Sequence, residues 1–212
     1  MSPPAGPEPR SLHDLPRVEA FSGALSPLEC DYLIALSAPL MQPSKVVDAD
    51  EAGSVAAGYR TSDGAVLLPA HMDFPAVCMM GSLSKMAGIA PEQGEFLSLL
   101  RYRPGQEYRP HHDYLLPDAA DYSRVKTCGQ RHATLLTYLN SGYAGGETVF
   151  PDLGITYKGE PGGALYFQNA EASGAPLPAS LHAGAPVTSG EKWLMTLWCR
   201  EKPFWPWMRG QL

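Results

Sequence analysis

The sequence predicts an α+β, mainly β fold: a double-stranded β-helix (jelly roll) with its helices packed outside. Three observations lead there. Apolar residues at helical spacing occur only before residue 90. From residue 95 onward the apolar residues instead fall in short runs of strand length. The chain of 212 residues also holds 21 Gly and 21 Pro, a turn supply that suits many short antiparallel strands better than a helical bundle. Helices first and seven or eight strands afterwards is the order of segregated layers, not of alternating β-α units.

The elements follow in order. Residues 1–16 are Pro-rich and patternless and are expected to form a disordered tail, leaving 17–212 as a single domain. Residues 17–22 read as a short strand. Ser26-Pro27-Leu28-Glu29 then carries a capping serine, a first-turn proline and the glutamate that closes a capping box. Leu28, Tyr32, Leu33 and Leu36 follow at helical spacing, so 27–38 is expected to be a helix that Pro39 ends. Residues 45–48 read as a strand and 49–65 as a loop. A second helix is expected over 74–88, its methionines filling core. Strands are expected at 96–102, 134–140, 147–150, 155–157, 164–168 and 193–200, with 108–113 extended. Residues 115–130 and 169–181 read as loops, and Pro203 and Pro206 stop the last strand.

Composition excludes several roles. The net charge is -6 and no run of Lys or Arg occurs, which argues against a nucleic-acid partner. The four cysteines are scattered without a C-x-x-C, so neither a disulfide framework nor a thiolate zinc site is expected. No stretch approaches the ~20 apolar residues of a membrane helix, and the N-terminus lacks the apolar core of a signal peptide. A reducing cytoplasm is the expected location, and the oligomeric state stays open between monomer and homodimer.

The chemistry starts at Tyr108-Arg109-Pro110-His111-His112-Asp113-Tyr114. On an extended segment, residues two apart project to the same side, so His111 and Asp113 face one way and His112 and Tyr114 the other. An imidazole and a carboxylate side by side, completed by a histidine from a distant strand, make a facial triad with open metal positions. His182, just before the final strand pair, is the histidine a barrel would bring alongside. A structural pair or a solvated turn is the competing reading of His-x-Asp alone. Lys192 adds weight: on an apolar strand an ammonium needs a carboxylate partner unless it sits at a solvated edge.

Ordered segments carry a family resemblance over roughly 18–202. They are Leu25–Cys30, Arg60-Thr61-Ser62, Leu100–Tyr108, His111–Tyr114, Gly145–Pro151, and His182–Val187 followed by Gly190-Glu191-Lys192-Trp193. Together they resemble the prolyl 4-hydroxylase family of iron(II)- and 2-oxoglutarate-dependent dioxygenases. The resemblance implies that His111, Asp113 and His182 hold Fe(II). It implies that Lys192 pairs with the far carboxylate of 2-oxoglutarate, with Tyr102, Thr134 and Tyr138 around that pocket. It further implies O2 as co-substrate, ascorbate as auxiliary reductant, and succinate and CO2 as co-products. Arg60, Tyr108, Arg131 and Trp198 would border the substrate, expected to be a prolyl residue of a peptide or protein hydroxylated at C4. Hydroxylation of a free amino acid or small metabolite, and a non-catalytic binding or sensor role, are the alternatives. One departure stands out. Arg200 occupies a position where relatives often carry His, as a cationic fork either for a substrate carboxylate or for solvent.

Overall fold

The computed structural model describes residues 8–44, 60–117 and 122–205. Its strands are β1 (Arg10–Asp14), β2 (Arg17–Phe21), β3 (Gln42–Pro43), β4 (Asp63–Val66), β5 (Ser98–Tyr102), β6 (Tyr108–His111), β7 (Arg131–Tyr138), β8 (Ala144–Gly145), β9 (Thr148–Phe150), β10 (Ile155–Tyr157), β11 (Ala164–Gln168), β12 (His182–Gly184), β13 (Val187–Ser189) and β14 (Lys192–Arg200). Its helices are α1 (Pro27–Ser37), α2 (Phe74–Met86) and the short α3 (Ser123–Cys128). An eight-stranded sheet runs β1-β2-β11-β7-β14-β5-β4-β3, and a four-stranded sheet runs β10-β9-β12-β6. Every pairing is antiparallel. This is the jelly roll expected from the element order.

The central strands of the large sheet are buried on both faces, which explains why they read as continuous apolar runs rather than as alternations. Leu99, Leu135, Met195 and Leu197 pack with Leu33, Met79, Met80 and Leu83 of the helices. Their neighbours Leu100, Leu136 and Leu194 project to the other side, among Tyr102, Tyr138, Phe150 and Phe167. One face therefore makes the helix-backed core, and the other makes the inside of the roll, where a site can lie.

Both long helices begin where their caps dictate. Ser26 accepts from the Glu29 amide, and the Glu29 carboxylate accepts from the Ser26 amide at 2.7 Å, a complete capping box. Ser26→Ala should cost about 1 kcal/mol, lowering the melting midpoint by roughly 2–4 °C. Thermal denaturation followed by circular dichroism checks this, and an unchanged midpoint would show that packing alone holds α1. Asp73 caps α2 by accepting from Ala76 and also from the Tyr32 hydroxyl, which ties the two helices together.

Four expectations are corrected or fall outside the described residues. Arg10–Asp14 is not tail but an edge strand, antiparallel to β2; its polar composition hides it because only one neighbour covers it. Asp63–Val66, at the end of the expected loop, is strand β4 against β5. Ser123–Cys128, inside the expected loop 115–130, is helical and closes on Gly129 at φ +73°. The strand expected at 45–48 lies outside the described residues, as does most of 49–64. Among the described residues no helix is long and apolar enough to cross a membrane.

Candidate active site

β6 and β12 lie side by side with His111 and His182 as register partners. Asp113 follows β6 by two residues. A pairing across the small sheet thus unites side chains 71 positions apart in sequence. The ligand atoms of His111, Asp113 and His182 all lie within 4.8 Å of one another. His111 Nε2 stands 3.8 Å from Asp113 Oδ1, and His182 Nε2 stands 3.7 Å from Oδ2.

Both imidazoles are held from behind. His111 Nδ1 is 2.8 Å from the Arg109 carbonyl, and His182 Nδ1 is 3.0 Å from the Ser180 carbonyl. A carbonyl only accepts, so each Nδ1 carries the proton and each Nε2 turns a lone pair toward Asp113. Burial, reinforced by His182, pushes His111 down to about 3; burial also lowers His182. Burial acts to raise Asp113, but the two histidines, the Thr134 hydroxyl and Arg131 outweigh it, and the carboxyl sits below its usual range. Two neutral Nε2 donors and a carboxylate on one side of a cavity fit an Fe(II) facial triad, with three positions left for other ligands. Tyr108 stacks on His111 at 3.4 Å between ring centroids, and Arg60 lies over Tyr108 at 5.1 Å.

The cavity inside the roll is lined by this cluster and by alternate residues of β14: Lys192, Leu194, Thr196 and Trp198. Tyr102 and Lys192 are register partners. Lys192 is 2% exposed. Its Nζ donates to the Gly146 carbonyl at 2.7 Å and lies 5.6 and 5.5 Å from the Tyr102 and Tyr138 ring centroids. Burial lowers its pKa to about 8. No ion pair to Lys192 forms among the described residues; Glu147 supplies only a longer-range attraction. A buried ammonium with a single neutral acceptor is suited to an anionic ligand.

The remaining predicted residues divide. Tyr102, Arg60, Tyr108 and Trp198 line the cavity. Tyr138 lies beside Lys192, but its hydroxyl shares a hydrogen bond with the Thr148 hydroxyl at 2.8 Å. Thr134 is placed differently from expectation: its hydroxyl donates to Asp113 Oδ2 at 2.7 Å, on the metal side of the site. Arg131 clasps Glu95 with Nε and Nη2, at 2.6 and 2.9 Å, and its guanidinium lies 4.0 Å from the centre of a Trp198 ring. Arg200 does not face solvent. It is fully buried, with Nε 2.6 Å from Glu95 and Nη1 donating to the Gly129 carbonyl at 3.0 Å.

Sequence reasoning missed Glu95, Asn169 and Thr196. The period-2 pattern running from Lys192 could have found Thr196. Nothing local marks Glu95 or Asn169, whose importance comes from partners 36 and 35 residues away.

Comparison with known proteins agrees with this arrangement. Residues 97–200 match the 2OG-Fe(II) oxygenase superfamily. Prolyl 4-hydroxylase 1 of Arabidopsis thaliana is 37% identical over 201 residues, which cover 88% of this chain and 70% of that protein. The crystal structure of a viral collagen prolyl hydroxylase from Paramecium Bursaria Chlorella virus-1, in its 2OG complex, is similar with a TM-score of 0.64 at 27% identity, over 86% of this chain and 94% of the viral one. A Pseudomonas putida prolyl-4-hydroxylase shares the fold, with a TM-score of 0.57 at 16% identity over 86% of this chain and 91% of that one. The fold and the site therefore define a 2-oxoglutarate-dependent dioxygenase. Within that class the chain belongs to the prolyl 4-hydroxylase family.

Proposed function

We propose that the protein hydroxylates C4 of prolyl residues in a peptide or protein, with His111, Asp113 and His182 as iron ligands and Lys192 as the anchor for 2-oxoglutarate. The observation that carries this reading is a buried lysine and an N,N,O cluster lining one cavity. When bound, the iron and 2-oxoglutarate supply the oxidising chemistry, with succinate and CO2 as co-products.

The chain's own residues supply position and environment. Lys192 would pair with the distal carboxylate, and the Tyr102 ring would flank it. Leu100, Leu136 and Leu194 give the cavity apolar walls that exclude water from the reacting centre. Arg60, Tyr108 and Trp198 would border the prolyl ring, with Arg131 acting from behind Trp198 rather than inside the cavity. The Arabidopsis relative named above and the viral hydroxylase are prolyl hydroxylases by name, which supports a peptide substrate. Arg200, whose fork is spent on Glu95 and a backbone carbonyl, lends no support to recognition of a free amino acid. Ascorbate would serve as reductant for the iron. The four free cysteines suit a reducing compartment such as the cytoplasm.

The test is succinate formation by anaerobically Fe(II)-loaded protein, with and without a proline-rich peptide, and mass spectrometry of the peptide. Peptide-dependent succinate with a 16 Da gain on proline is expected. Succinate driven only by free amino acids would move the substrate to small molecules. No consumption of 2-oxoglutarate under any condition would overturn the reading.

A further inference from the structure

We propose that Asn169 and Thr134 are positioning residues that orient the Asp113 carboxylate for the metal, acting through a one-directional hydrogen-bond chain. This deepens the metal reading given above and rests on it.

The chain has three members, all buried: Asp113 is 6% exposed, and Thr134 and Asn169 are fully covered. Asn169 Nδ2 lies 2.8 Å from Thr134 Oγ1, and Thr134 Oγ1 lies 2.7 Å from Asp113 Oδ2. Its direction follows from the chemistry of its end. An ionised carboxylate only accepts, so the single hydroxyl hydrogen of Thr134 must point to Oδ2. The Oγ1 lone pairs are then the groups facing Asn169, and only an amide N–H can answer them. The asparagine is thereby held with Nδ2 toward the threonine. In return it keeps the hydroxyl from rotating away.

The consequence concerns the metal. Thr134 engages one oxygen of Asp113, Oδ2, which favours Oδ1 as the ligating atom. The plane of the carboxylate is set before any ion arrives. Asn169 is itself fixed at the end of β11. Its amide donates to the His132 carbonyl at 2.8 Å, and its carbonyl accepts from Leu177 at 2.9 Å. The Leu177 bond pins the start of the segment whose Ser180 carbonyl holds His182 Nδ1. One residue therefore sets Asp113 through its side chain and steadies the approach to His182 through its backbone. Hydrogen bonds to ligating groups typically change metal affinity by about 10–100-fold when removed.

The test is titration of the metal-free full chain with Co(II), a redox-stable probe, followed by calorimetry and by the cobalt d–d absorption bands. The variants are Thr134→Val, Thr134→Ser and Asn169→Ala, each checked by circular dichroism and thermal melting without metal. Thr134→Val should weaken Co(II) binding by roughly 10–100-fold and alter the d–d bands. Thr134→Ser, which keeps the hydroxyl, should bind within about threefold of the parent. Asn169→Ala should weaken binding less than Thr134→Val, because a freed hydroxyl still visits the carboxylate. Should Thr134→Val not fold, Asn169→Ala against the parent carries the comparison. Unchanged affinity and bands in a folded Thr134→Val or Asn169→Ala protein would overturn the proposal. Failure of the parent itself to bind Co(II) would instead overturn the metal reading on which it rests.

Discussion

Lys192→Met should weaken 2-oxoglutarate binding by about 10²-fold or more while making the ligand-free protein more stable. The ammonium is 2% exposed and bonded to one carbonyl, and its pKa is lowered to about 8 from 10.5. A distal carboxylate arriving there would meet an already desolvated cation. Deleting one partner of such a pair costs ~2–5 kcal/mol, so the apparent KM for 2-oxoglutarate should rise by about 10²-fold or more. In the parent, affinity should also fall as pH climbs through about 8, where the lysine loses its proton; the methionine variant should lack that dependence.

The stability effect has the opposite sign. Between about pH 8 and 10.5 the unfolded chain holds a proton on this lysine that the folded protein has released. Stability therefore rises with pH across that window, and the full cost of the buried charge, about 3 kcal/mol, is present below it. Losing the Gly146 partner returns about 1 kcal/mol of that. At pH 7 the variant should then melt roughly 4–8 °C above the parent, with the gap closing in alkali. Equal 2-oxoglutarate affinity in parent and variant would remove Lys192 from the site.

Glu95→Ala should destabilise the protein by about 3–5 kcal/mol, because it leaves two guanidiniums without their shared carboxylate. Glu95 is 7% exposed and meets Arg131 and Arg200, each within 2.6 Å at its nearest approach. Burial alone would raise its pKa; the two arginines outweigh burial and hold the carboxyl below its usual value of 4.5. A depressed carboxylate stabilises the fold above that value, and the contribution is lost as pH falls through the folded-state pKa. The melting midpoint should therefore drop by roughly 10 °C at pH 7, and the difference should shrink in acid. Arg131 would also lose its anchor beside Trp198, so turnover should fall even at temperatures where the variant is folded. A variant melting within about 2 °C of the parent would mean that the cluster adds nothing to stability.

The local chemistry of this chain was legible in its sequence. Ser26 and Glu29 specified the start of α1 because capping needs only residues three apart. His111 and Asp113 were recognisable as a pair because a strand repeats every two residues. Lys192 was conspicuous because an ammonium on an apolar strand demands an explanation. Strand β1 escaped notice because an edge strand covered by one neighbour carries little apolar pattern; β4, four residues between β5 and the two-residue β3, and the six-residue α3 are too short to show a period.

Only the tertiary structure decided where Thr134, Arg131 and Arg200 spend their polar atoms. Each lies on or at the end of a strand whose sequence is equally compatible with facing a ligand, a metal-binding carboxylate or a buried acid. The choice was made by antiparallel pairing across long sequence separations, which set Glu95 between two arginines and Asn169 behind Thr134. A local pattern names the face of a strand on which a side chain stands, but the partner it meets there comes from a strand that local pattern does not specify.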